Sequence, residues 1–307
     1  MVVAGAGGLG SKFGGMLAEH AEVWLLHHRP EHVQAVREHG LCIVRDGQEQ
    51  IMHPQATTDP AEPGSADLVL MMVKSYDTGT AARQIVPLLR NDSLVITFQN
   101  GLGNVQRIAA HTGESRSILG VTFQGATLLG PGRVLDAGRG PSYVGSRPGV
   151  EEKLVAVAGL FTRAGISTDI LPDVEGLLWA KLAVTAGINA VAAVLRVPNG
   201  VLGKVEEARR VSLRAIEETM AVAAAKGICL AFDPRERFDA VTAATAQMRS
   251  GTLLDALRGR RTEVDVLSGA VAEQGRAAGV ATPVNEVLWM LVKAIEATHA
   301  YRVEGMA

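Results

Sequence analysis

Short apolar runs alternate with helical patterns through the first part of the chain. The pattern predicts strands over residues 1–4, 23–26, 67–73 and 93–98, and helices over residues 11–20, 31–39 and 78–89. Gly40 follows the second helix directly, where a C-capping glycine is common. Alternation of apolar strands with helices is typical of a parallel sheet that is covered on both faces. We therefore predict an α/β domain at the start of the chain.

The pattern changes after residue 120. Residues 120–145 are rich in glycine, and we expect an antiparallel extension of the sheet there, followed by a helix (150–164) and a strand (166–171). Beyond Pro172 and Asp173 the pattern is helical over residues 175–195, 202–226, 235–247, 262–278 and 285–301. This predicts the fold class α/β, with a domain of alternating strands and helices (1–171) followed by an all-α domain (172–307). Ligand sites favour clefts between domains, so we expect the site there.

Composition narrows the range of partners. The 307 residues carry a formal net charge of -2, which gives no reason to expect nucleic acid or an anionic membrane as a partner. Two separated cysteines and the lack of a signal-peptide pattern are typical of the cytoplasm. The long apolar stretch over residues 177–195 contains a lysine, which indicates a buried helix rather than a membrane span. Apolar positions over residues 287–295 suit either a homodimer interface or a core.

A glycine loop follows the first predicted strand. Gly5-Ala6-Gly7-Gly8-Leu9-Gly10 fits the pattern G-x-G-x-x-G, in which the glycines allow a tight turn, close approach of a pyrophosphate and close helix–strand packing. The helix that opens there offers amide groups and a positive dipole end to phosphates. The hexapeptide alone is weak evidence in a chain with 34 glycines, but its place between a strand and a helix strengthens it. We predict that residues 5–10 bind a dinucleotide. Residues 1–171 are therefore predicted to form a Rossmann-type NADP-binding or NAD-binding domain, and the all-α domain (172–307) is predicted to supply substrate-binding and catalytic residues.

The end of the second strand indicates which dinucleotide is bound. NAD enzymes usually place an acidic residue there, whereas this chain has His27-His28-Arg29 and no acid before Glu31. A guanidinium pairs well with a 2′-phosphate, so Arg29 favours NADP; the alternative is a solvated loop residue. His27 and His28 are expected to diverge as neighbours on a strand, and no histidine spacing indicates a metal site.

Polar residues also follow two apolar strands. Lys74 comes directly after residues 67–73, and Gln99-Asn100-Gly101 follows residues 93–98. Each motif is compatible with a surface turn. Because ligands of parallel sheets gather at the carboxyl ends of the strands, the two together with the glycine loop favour a site.

The apolar helix over residues 177–195 carries one polar stripe. Lys181, Thr185 and Asn189 are spaced four residues apart and therefore lie on one face. Lys181 could extend to water from a helix edge, or it could line a cavity and supply a proton. Burial would lower the lysine pKa toward the range that suits acid–base catalysis.

Taken together, these motifs resemble the ketopantoate reductase (2-dehydropantoate 2-reductase) family over nearly the whole chain. The resemblance includes the glycine loop, Val73-Lys74, Gln99-Asn100-Gly101, the Lys181 helix, Val197-Pro198-Asn199-Gly200 and Arg261-Thr262-Glu263-Val264-Asp265. It implies reduction of ketopantoate to pantoate by NADPH, in the pathway to pantothenate and coenzyme A.

The resemblance also implies roles for individual residues. Lys181 matches the proton donor, while Lys74 and Asn100 match residues near the nicotinamide. Asn189 and Asn199 match substrate contacts. Glu263 matches a glutamate that contacts the cofactor side of the closed site. We therefore count Glu263 among both the catalytic and the cofactor-binding residues. Ala126 falls near a family position whose backbone contacts NADP.

Two departures from the family pattern concern the substrate. Thr185 stands where the family has a second asparagine, and Gly251 stands where a serine hydroxyl is expected, beside Ser250 and Thr252. Thr185, Ser250 and Gly251 are thus predicted at the substrate, with Arg249 as a further carboxylate partner. Losing a hydrogen bond to a charged group costs about 1.5–3 kcal/mol, which is enough to change substrate preference. Two alternatives stay open: a reductase of another branched 2-keto acid or ketone, and a catalytically silent NADP-binding regulator.

Overall fold

The computed structural model describes residues 1–302. By their contacts, these residues form two compact units. The sheet unit comprises residues 1–99 and 103–174, and the helical unit comprises residues 100–102 and the chain from Glu175 onward. The predicted boundary between residues 171 and 172 stays a prediction.

The sheet unit contains strands and helices in alternation. Its strands are β1 (Val2–Ala4), β2 (Trp24–Leu26), β3 (Leu41–Arg45), β4 (Gln48–Met52), β5 (Gln55–Thr57), β6 (Ala66–Met71), β7 (Leu89–Thr97), β8 (Ser117–Thr122), β9 (Gly125–Gly130), β10 (Arg133–Gly138), β11 (Ser142–Gly145) and β12 (Thr168–Leu171). Its helices are α1 (Gly8–Leu17), α2 (Pro30–His39), α3 (Thr78–Ile85), α4 (Asn104–Thr112) and α5 (Glu151–Arg163).

The main sheet has the strand order β12-β11-β8-β7-β6-β1-β2-β5. Strands β1, β2, β5, β6, β7 and β8 are parallel, and β11 pairs antiparallel to β8. The central strands are buried because their side chains face helices on both sides, as in β6, where residues 68–71 are nearly inaccessible. The predicted Rossmann-type fold class is confirmed.

A second sheet corrects the prediction for residues 120–145. Strands β9 and β10 do not extend the main sheet; they form a hairpin that joins β3 and β4 in the order β4-β3-β10-β9. Of the strands in this region, β11 joins the main sheet, where it pairs antiparallel with β8, and β12 then pairs parallel with β11. The sequence prediction had no strand over residues 41–52, and so it had no partner for the hairpin.

Up to residue 302, the helical unit contains seven α-helices. They are α6 (Glu175–Leu195), α7 (Asn199–Lys204), α8 (Glu206–Ala225), α9 (Pro234–Ala244), α10 (Gly251–Leu257), α11 (Ser268–Ala278) and α12 (Pro283–Ala297). Helix α6 has the predicted bounds. The predicted helix 202–226 is divided at Val205, whose extended backbone separates α7 from α8. The predicted helix 262–278 begins only at Ser268, after a 3-10 turn over Val264–Val266, and α10 was not predicted.

Helix α6 forms the core of the helical unit. It is long and apolar enough to cross a membrane by length and composition alone, but most of its surface is buried against its neighbours. Ala183, Ala186 and Ala190 are almost inaccessible, and Gly187 lets Ile216 of α8 pack closely. On α12, Val287 and Leu291 are exposed, and the pairing of two copies through this helix stays a prediction.

Candidate functional site

Two glycines of the loop at residues 5–10 are required by the fold itself. Gly5 has φ +101°, and a β-carbon there would lie 2.3 Å from the backbone nitrogen of Val73. A β-carbon on Gly10 would lie 2.3 Å from the carbonyl oxygen of Gly5. The first glycine therefore makes the turn, and the third brings α1 against β1.

Gly7 differs from these two glycines because packing does not require it. A β-carbon there would meet no atom within 4 Å, and Gly7 is the N-cap of α1. The first-turn amides of α1 follow it, and the helix dipole places positive charge at this end. An open backbone beside these amides fits a pyrophosphate, so residues 5–10 fit a dinucleotide.

A cavity of about 400 Å³ lies at the carboxyl ends of the parallel strands. Its lining includes Gly5, Leu26, His27, His28 and Val73. Ligands of open α/β sheets bind at this position. The cavity and the glycine loop thus form one candidate cofactor site within the sheet unit.

Arg29 is half-buried and caps the N-terminus of α2. Its backbone amide donates to Nδ1 of His27 (3.1 Å), and its Nε donates to Nε2 of His28 (3.4 Å). The expectation that the two histidine side chains diverge is wrong. Their rings stack with centroids 4.7 Å apart, because β2 ends at Leu26 and neither residue lies on a strand.

The strand ends at Lys74 and Gln99 are neighbours in the sheet unit, since β6 pairs with β7. Gln99 joins them: its Nε2 donates to the carbonyl of Val73 (2.7 Å) and to the hydroxyl of Thr78 (2.8 Å). Lys74 is half-buried and directly follows the Val73 backbone that packs against Gly5. The geometry supports the predicted place of Lys74 beside the glycine loop.

Ala126 lies on β9, next to the start of α1. A β-carbon on Gly8 would be 2.9 Å from the Ala126 carbonyl oxygen, so the hairpin flanks the glycine loop. The hairpin is fixed to α1 by Lys12, which is fully buried and forms an ion pair with the equally buried Asp136. Lys12 Nζ also donates to Gln124 Oε1 (2.6 Å) and to the Gly138 carbonyl (2.9 Å).

Lys181 is the centre of a polar group in the helical unit. Its Nζ donates to Oδ1 of Asn100 at 2.8 Å. Burial lowers the pKa of Lys181 to about 8, and the negative charge of Glu263 opposes that shift. The ammonium is thus partly desolvated and readily gives up a proton near neutral pH.

The segments that carry Asn100 and Glu263 are fixed to each other. Leu102 donates its amide to the carbonyl of Val266 (3.0 Å), and Gly101 packs so closely that a β-carbon would lie 2.3 Å from that oxygen. Asp265, which directly precedes Val266, accepts from Nε1 of Trp289 (2.9 Å). Asn100 and Glu263 are therefore held in place near Lys181, although they are distant in sequence.

The polar stripe of α6 is confirmed as a half-buried line on a buried helix. Thr185, however, donates its hydroxyl to the carbonyl of Lys181 (2.8 Å), one helical turn earlier. The Thr185 hydroxyl is therefore bonded to its own helix and does not take the place of the side-chain amide that the family's asparagine would provide. Asn189 presents a half-buried side chain on the same face.

Asn199 is buried at the start of α7. Its Nδ2 donates to the hydroxyl of Thr245 (3.0 Å), while its Oδ1 has no hydrogen-bond partner within residues 1–302. A buried acceptor without a partner costs about 1–3 kcal/mol. The contact of Asn199 with substrate stays a prediction.

Ser250 and Gly251 lie at the start of α10. Ser250 caps the helix: its hydroxyl accepts from the amide of Leu253 (3.2 Å) and donates to the Asn189 carbonyl (3.4 Å). A β-carbon on Gly251 would meet nothing within 4 Å, so the missing side chain leaves open space. Their contact with substrate stays a prediction, and so does that of Arg249, which is exposed.

The glycine loop, the cavity at the strand ends and the lysine on α6 define a Rossmann-type nicotinamide-dependent oxidoreductase. The chain matches the families described as Ketopantoate reductase PanE/ApbA (residues 1–149) and Ketopantoate reductase PanE/ApbA C terminal (residues 173–296). The protein belongs to the ketopantoate reductase family, and it is an NADP-dependent oxidoreductase of that type.

Known relatives cover nearly the whole chain. A 2-dehydropantoate 2-reductase from Halobacterium salinarum is 40% identical over 95% of this chain and 97% of its own length. A solved ketopantoate reductase from Ralstonia eutropha JMP134 has a TM-score of 0.90 at 34% identity, covering 97% and 99% of the two chains. A D-mandelate dehydrogenase solved with NADH and anilino(oxo)acetate also has a TM-score of 0.90, at 27% identity over 97% and 98%.

Sequence analysis missed two features of the sheet unit. One is the Lys12–Asp136 ion pair, and the other is the group of rings formed by His27, His28 and His32. The sequence did contain a signal for the ion pair, because Lys12 lies inside the apolar, glycine-rich helix that begins at the glycine loop. Within residues 1–302, no group of three His, Cys, Asp or Glu side chains is placed to hold a metal ion.

Proposed function

We propose that this protein reduces 2-dehydropantoate to pantoate with NADPH, and that Lys181 is the proton donor. The observation that carries the proposal is the desolvated Lys181 ammonium, held by Asn100 and facing the charge of Glu263. Such a group suits protonation of a carbonyl oxygen. The family membership supplies the substrate class.

When bound, NADPH supplies a hydride to the carbonyl carbon of the substrate. Lys181 stabilises the negative charge that develops on the carbonyl oxygen and then gives its proton to that oxygen. The products are a hydroxyl group and a neutral lysine amine, which regains its proton from water. Asn100 Oδ1 accepts a hydrogen bond from one N–H of the Lys181 ammonium, so the other two N–H groups point away from Asn100.

Arg29 supports the choice of NADPH over NADH. It stands half-buried at the end of β2, with two histidines before it and no acidic side chain between residues 27 and 30. A carboxylate would repel a 2′-phosphate there, whereas a guanidinium pairs with it. Some relatives of the same fold bind NADH, so this position is where we expect the preference to be decided.

Asn199 supports a hydroxylated substrate. Its buried Oδ1 needs a donor, and 2-dehydropantoate carries a primary hydroxyl beyond its branched carbon. A site built to bond a hydroxyl discriminates strongly against the analogue that lacks it, because the buried polar atom then stays unpaired.

A second candidate is a reductase of another 2-keto acid. Two observations favour it: Thr185 is bonded to its own helix, and Gly251 leaves open space where a hydroxyl was expected. A D-mandelate dehydrogenase with the same fold is solved with a bulky anilino(oxo)acetate. An aromatic 2-keto acid such as phenylglyoxylate is therefore the comparison substrate.

The deciding experiment measures oxidation of NADPH in the presence of ketopantoate, with NADH as control and phenylglyoxylate as rival substrate. We expect the highest kcat/KM with NADPH and ketopantoate. A higher value with phenylglyoxylate would establish the second candidate. Tight NADPH binding without oxidation by any carbonyl compound would revive the silent regulator.

The pH dependence of turnover tests the role of Glu263. A proton donor must be protonated, so kcat falls as pH rises through about 8, the pKa of Lys181. Because the Glu263 charge raises that pKa, Glu263→Gln should move the alkaline limb to lower pH. The measurement is a pH–rate profile at saturating substrates. An unchanged limb in Glu263→Gln would contradict the electrostatic role.

Asn199→Ala tests the hydroxyl contact. With ketopantoate, we expect kcat/KM to fall about tenfold or more, because a buried hydrogen bond is lost. With 3,3-dimethyl-2-oxobutanoate, which has the same branched carbon but no hydroxyl, the variant should lose little. Equal losses with both substrates would show that Asn199 acts only on the fold of the helical unit.

A further inference from the structure

A series of three hydrogen bonds joins the hairpin of the second sheet to the glycine loop. The amide of Gly132, in the turn between β9 and β10, donates to Nδ1 of His32 on α2 (3.1 Å). Nε2 of His32 lies 3.2 Å from the hydroxyl of Ser11 on α1. The Ser11 hydroxyl donates in turn to the carbonyl of Ala6 in the glycine loop (2.8 Å). All four residues are buried within the sheet unit, and the three bonds form a hairpin bridge between them.

The direction of each bond in the hairpin bridge follows from its two ends. The Ala6 carbonyl can only accept, so the Ser11 hydroxyl gives its hydrogen to Ala6 and accepts from His32. Nε2 of His32 therefore carries the ring hydrogen, and Nδ1 keeps the lone pair that the Gly132 amide needs. A neutral His32 thus satisfies both neighbours at once. Burial, and after it the charge of Arg29, lowers the pKa of His32, which agrees with the neutral form.

The bridge ends on a peptide group that packing leaves free on one side. The Ala6 carbonyl and the Gly7 amide belong to this same planar group, and the amide donates to the Gly5 carbonyl (2.8 Å). A β-carbon on Gly7 would meet no atom within 4 Å, so neither a side chain nor a neighbour restrains that end. Rotation of the peptide would bring the negative end of its dipole to the open side of the loop, where it disfavours an anion. The Ser11 bond prevents this rotation.

The far end of the hairpin bridge is held independently of the glycine loop. The Gly132 carbonyl accepts from the amide of Cys42 on β3 (2.8 Å). Gly132 has φ +65°, and a β-carbon there would lie 3.0 Å from that of Ala35 on α2. His32 itself belongs to the first turn of α2. The second sheet and α2 therefore set the position of the His32 ring, and the loop adapts to it.

We propose that His32 is a positioning residue for the glycine loop: through Ser11 it holds the Ala6–Gly7 peptide in the orientation that a bound pyrophosphate needs. His32 acts through Ser11 and needs no contact with the cofactor. The inference rests on the proposed function for the binding of the cofactor at this loop. It gives the second sheet a part in cofactor binding, because the hairpin turn supplies the bond that orients the His32 ring.

Ser11→Ala tests the bond to the loop. We expect the Kd of NADPH to rise about tenfold, because the Ala6 carbonyl loses its donor and the peptide is free to rotate. The Kd of adenosine 2′-monophosphate, a ligand without a pyrophosphate, should be unchanged. Both constants are measured by calorimetric titration of the full-length protein, and thermal unfolding of each variant is recorded beside them.

The matched control is Ser93→Ala. The Ser93 hydroxyl is also buried, accepts from the amide of Arg90 (2.7 Å) and donates to the carbonyl of Ala66 (2.6 Å), at the start of β6. This variant removes the same kind of bond from the same unit, away from the glycine loop. It should bind both ligands as the wild type does.

Two variants of His32 separate the two ends of the ring. His32→Gln places an amide nitrogen near the position of Nε2 and so keeps a donor for Ser11. His32→Asn places an amide oxygen near the position of Nδ1 and so keeps only the acceptor for Gly132. We expect His32→Gln to bind NADPH nearly as tightly as the wild type, and His32→Asn to be as weak as Ser11→Ala.

Three results would overturn the inference. The first is wild-type affinity of Ser11→Ala for NADPH, and the second is an equal loss in His32→Gln and His32→Asn. The third is a parallel loss of affinity for both ligands, which would show that these residues only support the fold. Each of these results leaves the proposed reduction of ketopantoate intact. If ketopantoate is not reduced while the expected binding pattern is found, only the proposed function fails.

Discussion

Lys181→Ala is expected to lower kcat by about 10²-fold or more, since it removes the proposed proton donor and the positive charge that would stabilise the developing oxyanion. The affinity for NADPH, measured by fluorescence titration, should change little, because the glycine loop and Arg29, which are proposed to bind the pyrophosphate and the 2′-phosphate, lie in the sheet unit. Loss of turnover with retained cofactor binding would separate a chemical role from a structural one.

The matched control is Lys204→Ala. Lys204 is an exposed lysine at the end of α7, outside the group around Lys181. This variant removes the same charge from the same unit and should keep wild-type turnover. Wild-type turnover in Lys181→Ala would eliminate the lysine as the acid and move the search to another donor.

Asp136→Leu is expected to destabilise the sheet unit by about 3–5 kcal/mol, because it leaves the ammonium of Lys12 buried without a counter-charge. Both side chains are 0% exposed. Burial lowers the pKa of Lys12, and Asp136 counteracts part of that shift. The other partners of Asp136, Arg45 and Arg139, are partly exposed and can turn to water. Urea unfolding followed by circular dichroism gives the free energy.

The double variant Lys12→Met/Asp136→Leu should recover most of that loss, since an apolar pair of similar size avoids the cost of desolvating two charges. The exposed pair Arg90–Asp67 is the control, and Asp67→Ala should cost less than about 1 kcal/mol. If the double variant is no more stable than Asp136→Leu, the loss comes from packing or from the arginines rather than from the stranded lysine.

Much of the fold could be predicted from local patterns. The bounds of α6 and the glycine at the end of α2 are correct because apolar periodicity and a C-capping glycine are local signals. The second sheet was missed because its pairing joins β3 with β10, about ninety residues apart, and no local pattern contains that information. The break at Val205 has no proline or glycine at that residue to announce it.

In the candidate site, too, features with a local sequence pattern were predicted and long-range contacts were not. Gly5, Gly10 and Arg29 belong to a motif with fixed spacing, and the Lys181 stripe follows from helical periodicity. Their partners were not predictable in detail. That Thr185 bonds to the Lys181 carbonyl, or that Asn199 keeps an unpaired oxygen, depends on side-chain directions which the sequence does not contain. The stacked histidines were missed because the strand was expected to continue through them.

The position of Asn100 has a consequence for protein engineering. Residues 100–102 emerge from β7 but pack with the helices, where Asn100 accepts from Lys181 and Leu102 bonds to Val266. A gene fragment starting at Glu175 would therefore encode Lys181, the proposed acid, without the Asn100 amide that accepts its hydrogen bond. A chimaera that imports residues 1–174 from a relative, to change cofactor preference, would also import a new neighbour for the host lysine. Such chimaeras should keep the host sequence at residues 100–102, so that only the proposed cofactor-binding residues are exchanged.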